Sequence, residues 1–147
     1  MAKKNKFRIA IVVSEFNKEI SKGLLSGALK ALSKNKIPKK KIKVFRCPGS
    51  FELPLAAKKL CESEKYDAVI CLGAVIKGET AHFEYISAAV SNGIARLNLE
   101  YGIPVTFGVL TCYTEEQAVQ RSSDNESNKG TEAALAALQM LGLLKTI

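Results

Sequence analysis

Ala68-Val69-Ile70-Cys71-Leu72-Gly73, continuing as Ala74-Val75-Ile76-Lys77-Gly78-Glu79-Thr80-Ala81-His82, is the stretch on which the fold is read. Its first six residues are an apolar run of strand length that stops at glycine. From about Ala81 to Glu100, Ile86, Ala89, Val90, Gly93, Ile94 and Leu97 then recur at helical spacing. A strand, a glycine turn and a helix therefore follow one another here. Outward from this unit the same order repeats. Phe7 to Val13 reads as a buried strand, and Glu19 to Asn35 as a helix with Ile20, Leu24, Ala28 and Leu32 on one side. Lys41 to Arg46 is a short strand. After Cys47-Pro48-Gly49-Ser50, the segment Phe51 to Glu64 turns helical once past Pro54. Pro104 to Leu110 is the fourth strand, and Thr114-Glu115-Glu116-Gln117 opens a helix with a Thr-x-x-Gln capping box. The polar stretch Ser122 to Asn128 interrupts the pattern, and Thr131 to Leu144 resumes it as a last helix.

Strands alternating with helices imply a parallel sheet, because parallel neighbours need crossovers and right-handed crossovers place helices on both faces. The expected fold is α/β: a three-layer sandwich with a four-stranded parallel sheet flanked by helices, flavodoxin-like in topology. A length of 147 residues at 47% hydrophobic composition fits one domain over residues 1–147, able to bury its core without metal or disulfide support. Ligands in such sheets gather beyond the carboxyl ends of the strands. That rule selects Ser14-Glu15-Phe16-Asn17, Pro48-Gly49-Ser50-Phe51-Glu52, Gly73 to His82, and Thr111-Cys112-Tyr113-Thr114.

Composition removes several functional classes. The basic N-terminal stretch is followed by an apolar run only from Phe7 to Val13, broken by Arg8, which lacks the hydrophobic region and cleavage site of a signal peptide. No segment approaches membrane-spanning length, so a cytoplasmic protein with no membrane partner is expected. Cys47, Cys61, Cys71 and Cys112 form no Cys-x-x-Cys pair, and the single histidine cannot complete a zinc-finger pattern with them; reduced, buried thiols and no metal are expected. The net charge of +8 raises the question of nucleic acid. Its lysines cluster at Lys3, Lys4 and Lys6 and again from Lys34 to Lys43, without interleaved aromatics, which reads as a solvated face and no nucleic-acid partner.

The chemistry-bearing residues lie in the four strand-end segments or near the C-terminus. His82 is the only histidine, and histidine alone titrates near neutral pH without help; a hydrogen-bonded packing role is the alternative. Gly78-Glu79-Thr80 before a helix can hold a phosphate on free amides, or can be a helix start capped by Thr80. It matches neither common glycine-rich phosphate motif. Phe16 can stack on a flat heterocycle whose edge Asn17 bonds, or can staple the next helix. Glu52 can accept bonds from ligand hydroxyls, or serve as a helix-start carboxylate. Arg121 and Lys129 flank the polar break, as anion ligands or as exposed helix-end cations.

Ser14-Glu15-Phe16-Asn17, Pro48 to Pro54, Gly73 to Tyr85, Pro104 to Thr111 and Asn128-Lys129-Gly130 together resemble the lumazine synthase family, in the same order and at similar spacing over nearly the whole chain. The resemblance implies condensation of 5-amino-6-(D-ribitylamino)uracil with 3,4-dihydroxy-2-butanone 4-phosphate, without a cofactor. It further implies that Phe16 stacks on the ring with Asn17 beside it. Ser50, Phe51 and Glu52 then hold the ribityl side, and backbone at Ala74, Val75 and Ile76 reads the ring edge. Glu79, Thr80, Arg121 and Lys129 hold the phosphate, and His82 shuttles protons. Family members place each site between neighbouring subunits of a pentamer, so Phe107, Arg121 and Lys129 are expected from the adjacent chain.

The segment from Arg121 to Lys129 resembles members that assemble pentamers into icosahedral shells. The short stretch Met1 to Lys6 before the first strand leaves little chain for the extra strand those shells use. Glu79 departs from the family pattern, where a small residue is common, and Val44-Phe45-Arg46-Cys47 varies without touching a proposed catalytic group. Two other classes compete: a non-catalytic flavin- or phosphate-binding module of flavodoxin-like topology, and an RNA-binding protein using the lysine clusters.

Overall fold

Ile9–Ser14 forms the first strand, β1, and every residue in it is buried. The computed structural model describes residues 6–147. The expectations for Lys3 and Lys4 fall outside that range. β1 pairs in parallel with β2 (Ile42–Cys47) on one side and with β3 (Ala68–Ile76) on the other; β3 in turn carries β4 (Val105–Cys112). The order is β2-β1-β3-β4, all parallel. Among the described residues five α-helices connect or follow the strands: α1 (Lys18–Lys34), α2 (Leu53–Glu62), α3 (His82–Tyr101), α4 (Glu115–Ser122) and α5 (Lys129–Leu144).

Successive strand residues point to opposite faces, so one strand feeds two cores. Ile9, Ile11 and Val13 pack with α1, α4 and α5 through Leu24, Leu32, Ala118 and Ala137. Ala10 and Val12 face α2 and α3 through Leu53, Ala57, Val90 and Ile94. Full burial of a Leu or Ile side chain stabilises by roughly 1.5–3 kcal/mol, so this two-sided strand contributes apolar burial to both layers. The three-layer α/β sandwich expected from the alternation is the architecture found. Among the described residues no helix is long and apolar enough to cross a membrane.

The element ends differ from expectation in informative ways. β3 continues through Gly73 to Ile76, with Gly73 opposite Val109 and Ile76 opposite Cys112, and β4 likewise runs on to Cys112. Gly73 is therefore a strand residue rather than the start of a turn, and Ala74, Val75 and Ile76 are strand-end groups. Phe51 does not begin a regular helix either: Ser50–Glu52 is a single 3-10 turn that hands over to α2. Thr114 does form the expected capping box, its side chain accepting from the Gln117 amide while Gln117 reaches back.

Two polar ties hold the ends of the layers. At the amino end of the sheet the Arg8 backbone amide and guanidinium donate to Asp67 at 2.7 and 3.1 Å, and Asp67 N–H returns a bond to Arg8 O at 2.8 Å. Burial pushes the Asp67 carboxyl up, but the hydrogen bonds and charge of Arg8, with Lys41 behind, together hold it below its ordinary value. At the α4–α5 junction Asn128, 4% exposed, donates to Gly23 O at 3.1 Å and Ser123 O at 2.9 Å and accepts from Thr131 N–H at 3.1 Å. It thus caps α5 and fastens it to α1, where a Cβ on Gly27 would collide with the Asn128 amide.

Replacing Asn128 by alanine removes a helix cap and leaves buried carbonyls unpaired, so the Asn128→Ala variant should lose about 2–3 kcal/mol. Denaturant unfolding at fixed protein concentration measures this; a midpoint equal to that of the parent would remove Asn128 from this role.

Candidate active site

Because all four strands run one way, the segments that follow them share one rim of the sheet. Pairing between β1 and β2 continues past the strands: Glu15 N–H donates to Cys47 O at 2.8 Å and Phe16 N–H to Pro48 O at 3.1 Å. The loop after β1 is thereby drawn against the loop after β2. Asn17 then takes a left-handed conformation, φ 63° and ψ 59°, which asparagine tolerates better than most residues, and its side chain makes no capping bond to α1. The Phe16 ring is 69% exposed, so it does not staple the helix.

On the neighbouring loop Ser50 is buried and donates its hydroxyl to Ala74 O at 3.1 Å, tying the 3-10 turn to the end of β3. Phe51 is exposed. Glu52 sits at the start of α2 without a side-chain cap bond, leaving its carboxylate free of the helix. A Cβ on Gly73 would come within 2.6 Å of Ser14 Oγ and 2.8 Å of Ser50 Oγ. Glycine at this position is what lets the loops close over β3.

His82 is the first residue of α3 and is exposed. Its backbone N–H contacts Thr80 Oγ1 at 3.4 Å, and Ala81, not Thr80, occupies the N-cap position without a side-chain bond. The expectation of a helix capped by Thr80 is therefore corrected: Thr80 lies one residue before the N-cap position, and its hydroxyl reaches only the His82 N–H, in a long contact. Among the described residues no side chain hydrogen-bonds the imidazole of His82, so a satisfied packing histidine does not describe it.

These groups share a cleft of about 830 Å³. Phe16, Asn17, Ser50, Phe51 and Glu52 line it together with Ala74, Val75, Ile76, Thr80 and His82. Gly49, Phe83, Ile86 and Glu115 line it too, and sequence reasoning gave them no role. Glu115 opens α4 immediately after its capping threonine, where a carboxylate looks like any other first-turn acid. Phe83 and Ile86 carry the periodicity of an ordinary packing face.

Three expected site residues lie elsewhere. Phe107, Arg121 and Lys129 line a second cavity of about 580 Å³ over the end of β4. There Arg121 Nη1 donates to Gln117 O at 3.1 Å and Lys129 pairs with Glu132 at 3.0 Å. Phe107 is half-buried against the core of α2 and α3. Glu79 is exposed and lines neither cavity.

All four thiols are free and buried. Burial, aided by the charges of Glu52 and Glu15, pushes Cys47 up to about 11, and burial does the same for Cys61. Cys71 is raised by burial, and Cys112 by burial against the opposing pull of Arg121. Thiols in this state are poor nucleophiles. Among the described residues no cluster of His, Cys, Asp and Glu side chains is arranged to hold a metal ion. The chemistry available in the cleft is aromatic stacking, hydrogen bonding and proton transfer.

Residues 6–145 match the family model described as 6,7-dimethyl-8-ribityllumazine synthase. A relative named 6,7-dimethyl-8-ribityllumazine synthase, from Syntrophus aciditrophicus (strain SB), is 54% identical over 147 residues, covering 100% of this chain and 94% of its own length.

A methyl group at Gly73 must displace the two serine hydroxyls behind it. Gly73→Ala is expected to cost about 1–3 kcal/mol in unfolding free energy, as overpacking does, and denaturant unfolding at fixed protein concentration reads it. An unchanged stability would show that the rim loops are not held at this point.

Proposed function

The chain belongs to the 6,7-dimethyl-8-ribityllumazine synthase family, and we propose that it performs the family's reaction in the cleft around His82. The enzyme condenses 5-amino-6-(D-ribitylamino)uracil with 3,4-dihydroxy-2-butanone 4-phosphate to 6,7-dimethyl-8-ribityllumazine, the penultimate step of riboflavin biosynthesis. What carries the assignment of the site is one juxtaposition. An unpacked phenyl ring at Phe16, an uncapped amide at Asn17, a free carboxylate at Glu52 and an unbonded imidazole at His82 line the same cleft.

In this reading the pyrimidinedione stacks on Phe16 with its edge toward Asn17 and the backbone of Ala74, Val75 and Ile76. Ser50, Phe51 and Glu52 receive the ribityl chain. The phosphate of the second substrate meets the loop at Glu79 and Thr80, where the N-terminal end of α3 favours an anion. The amine attacks the ketone, water leaves to form an imine, phosphate is eliminated, and the second amine closes the ring with loss of water. His82 accepts and returns the protons of these steps. Holding two substrates in attack geometry supplies a large effective molarity, while general acid–base catalysis adds about 10²–10⁴-fold.

Arg121, Lys129 and Phe107 are the remaining anion and apolar contacts of this reading, and they belong to the second cavity. They complete the site when a neighbouring copy brings its second cavity to the first. Supporting this, the outward face of α3 presents Tyr85, Ala88, Asn92, Ala95 and Leu99, all exposed and separated alternately by three and four residues, the spacing of a helix-bundle seam. Leu99 is 88% exposed. The assembly in this proposal is a pentamer or a pentamer-based icosahedral shell, and the cytoplasm is its setting, where free thiols persist.

Fluorescent lumazine formation from the two substrates tests the site. His82→Ala should lower turnover by about 10²-fold or more while leaving measurable activity; undiminished turnover would sink the role of His82. Subunit sharing has its own test. Co-assembling His82→Ala with Arg121→Ala should restore activity above that of either variant alone, because mixed interfaces regain one complete site. Activity equal to the mean of the two would place all site residues in a single chain, and sedimentation as a single-chain species would contradict the pentamer.

A further inference from the structure

The loop from Gly78 to Ala81 carries the anion contact of the proposed site and delivers His82, yet almost nothing packs against it. Every residue from Gly78 to His82 is exposed, and a Cβ added to Gly78 would meet no atom within 4 Å. Among the described residues no hydrogen bond ties Gly78 or Glu79 to another part of the chain, and Thr80 Oγ1 contacts only the nearby His82 N–H.

Both ends of this loop converge on one side chain. On the amino side, Lys77 N–H donates to Cys112 O at 2.9 Å, and the Lys77 ammonium stands 5.6 Å from the centroid of the Tyr113 ring. On the carboxyl side, the ring of Phe83, the residue after His82, lies 6.0 Å from the same ring at an interplanar angle of 49°. Tyr113 is itself anchored: its N–H donates to Gln117 Oε1 at 2.9 Å, the side chain that completes the capping box of α4. The Tyr113 hydroxyl has no hydrogen-bond partner among the described residues, so the ring is the part in use. A ring that is 67% exposed thus holds a cation from one end of the loop and an aromatic from the other.

We infer that Tyr113 is a positioning residue for the condensation, its ring fastening both ends of the Gly78 to Ala81 loop so that the loop amides and His82 meet the phosphate-bearing substrate already ordered. The inference rests on the reading that the reaction occurs in the His82 cleft. A loop with no packing of its own would otherwise be ordered at the expense of substrate binding. The pyrimidine side of the cleft is built on the ends of β1 and β2 and does not depend on this contact.

Steady-state kinetics with each substrate varied in turn, together with hydrogen exchange of the amides of residues 78–81, test the inference. Tyr113→Ala should raise KM for the butanone phosphate roughly 5- to 20-fold and shift KM for the pyrimidine by less than about 2-fold, with faster loop exchange. Tyr113→Phe should restore the parent values, and Lys77→Met should fall between. Should Tyr113→Ala fail to fold, Tyr113→Leu and Lys77→Met carry the same comparison. Equal changes in both KM values, no change in either, unaltered loop exchange, or a phenylalanine variant as impaired as alanine would each overturn it. The two readings fail differently: a parent enzyme indifferent to His82→Ala defeats the site assignment, whereas a His82-dependent parent without the KM split defeats only the role of Tyr113.

Discussion

Parallel pairing of β1 with a strand on each side is the constraint from which the rest of the molecule follows. β1 has no exposed residue, so both of its faces must be covered and both of its edges bonded. Covering the faces places α1, α4 and α5 on one side and α2 and α3 on the other. Running all strands in one direction puts every strand-to-helix segment on the same rim. The cleft lies where the chain leaves β1 toward β2 on one side and later returns to β3 on the other, the position at which an open α/β sheet leaves room for a ligand.

Division of labour within that cleft follows from how each segment is held. The side to which the proposed function gives the pyrimidine stands on backbone bonds that continue the sheet, Glu15 and Phe16 to Cys47 and Pro48, and on the Ser50 bond to Ala74. The side to which the proposed function gives proton transfer and the anion stands on a loop with little packing. That contrast matches the chemistry: a flat, rigid ring is served by a rigid platform, while a substrate that loses its phosphate during the reaction is met by backbone at a helix start. In the second cavity Arg121 and Lys129 are already engaged by Gln117 and Glu132, and the proposed function brings them to the reaction through association of copies. The partners those two cations hold now are ones they can exchange at an exposed surface, where such contacts are worth little.

Much of the candidate site was legible because its residue types contradict their surroundings. A phenylalanine in a polar turn and a lone histidine after a glycine turn stand out from the periodic pattern, whereas Glu52 reads as a helix-start carboxylate until the order of the segments identifies the family. Other features had no such signal. Glu115 and Phe83 look like an ordinary first-turn acid and an ordinary apolar helix residue. Gly73 looks like a turn because glycine usually ends an apolar run; its actual role, room for two serine hydroxyls, depends on residues 59 and 23 positions away in the chain.

By itself the sequence determined the alternation of strands and helices, the all-parallel sheet, the rim on which chemistry collects and the family, since these depend on local periodicity, turn residues and the order of motifs. Only the tertiary structure decided where strands end, which loops touch, and that the expected site residues divide between two separate cavities, with Glu79 in neither. Those outcomes depend on register and on packing between distant segments. Gly73 opposite Val109 extends β3 past its glycine, and Phe16 on Pro48 joins two loops that sequence spacing leaves independent.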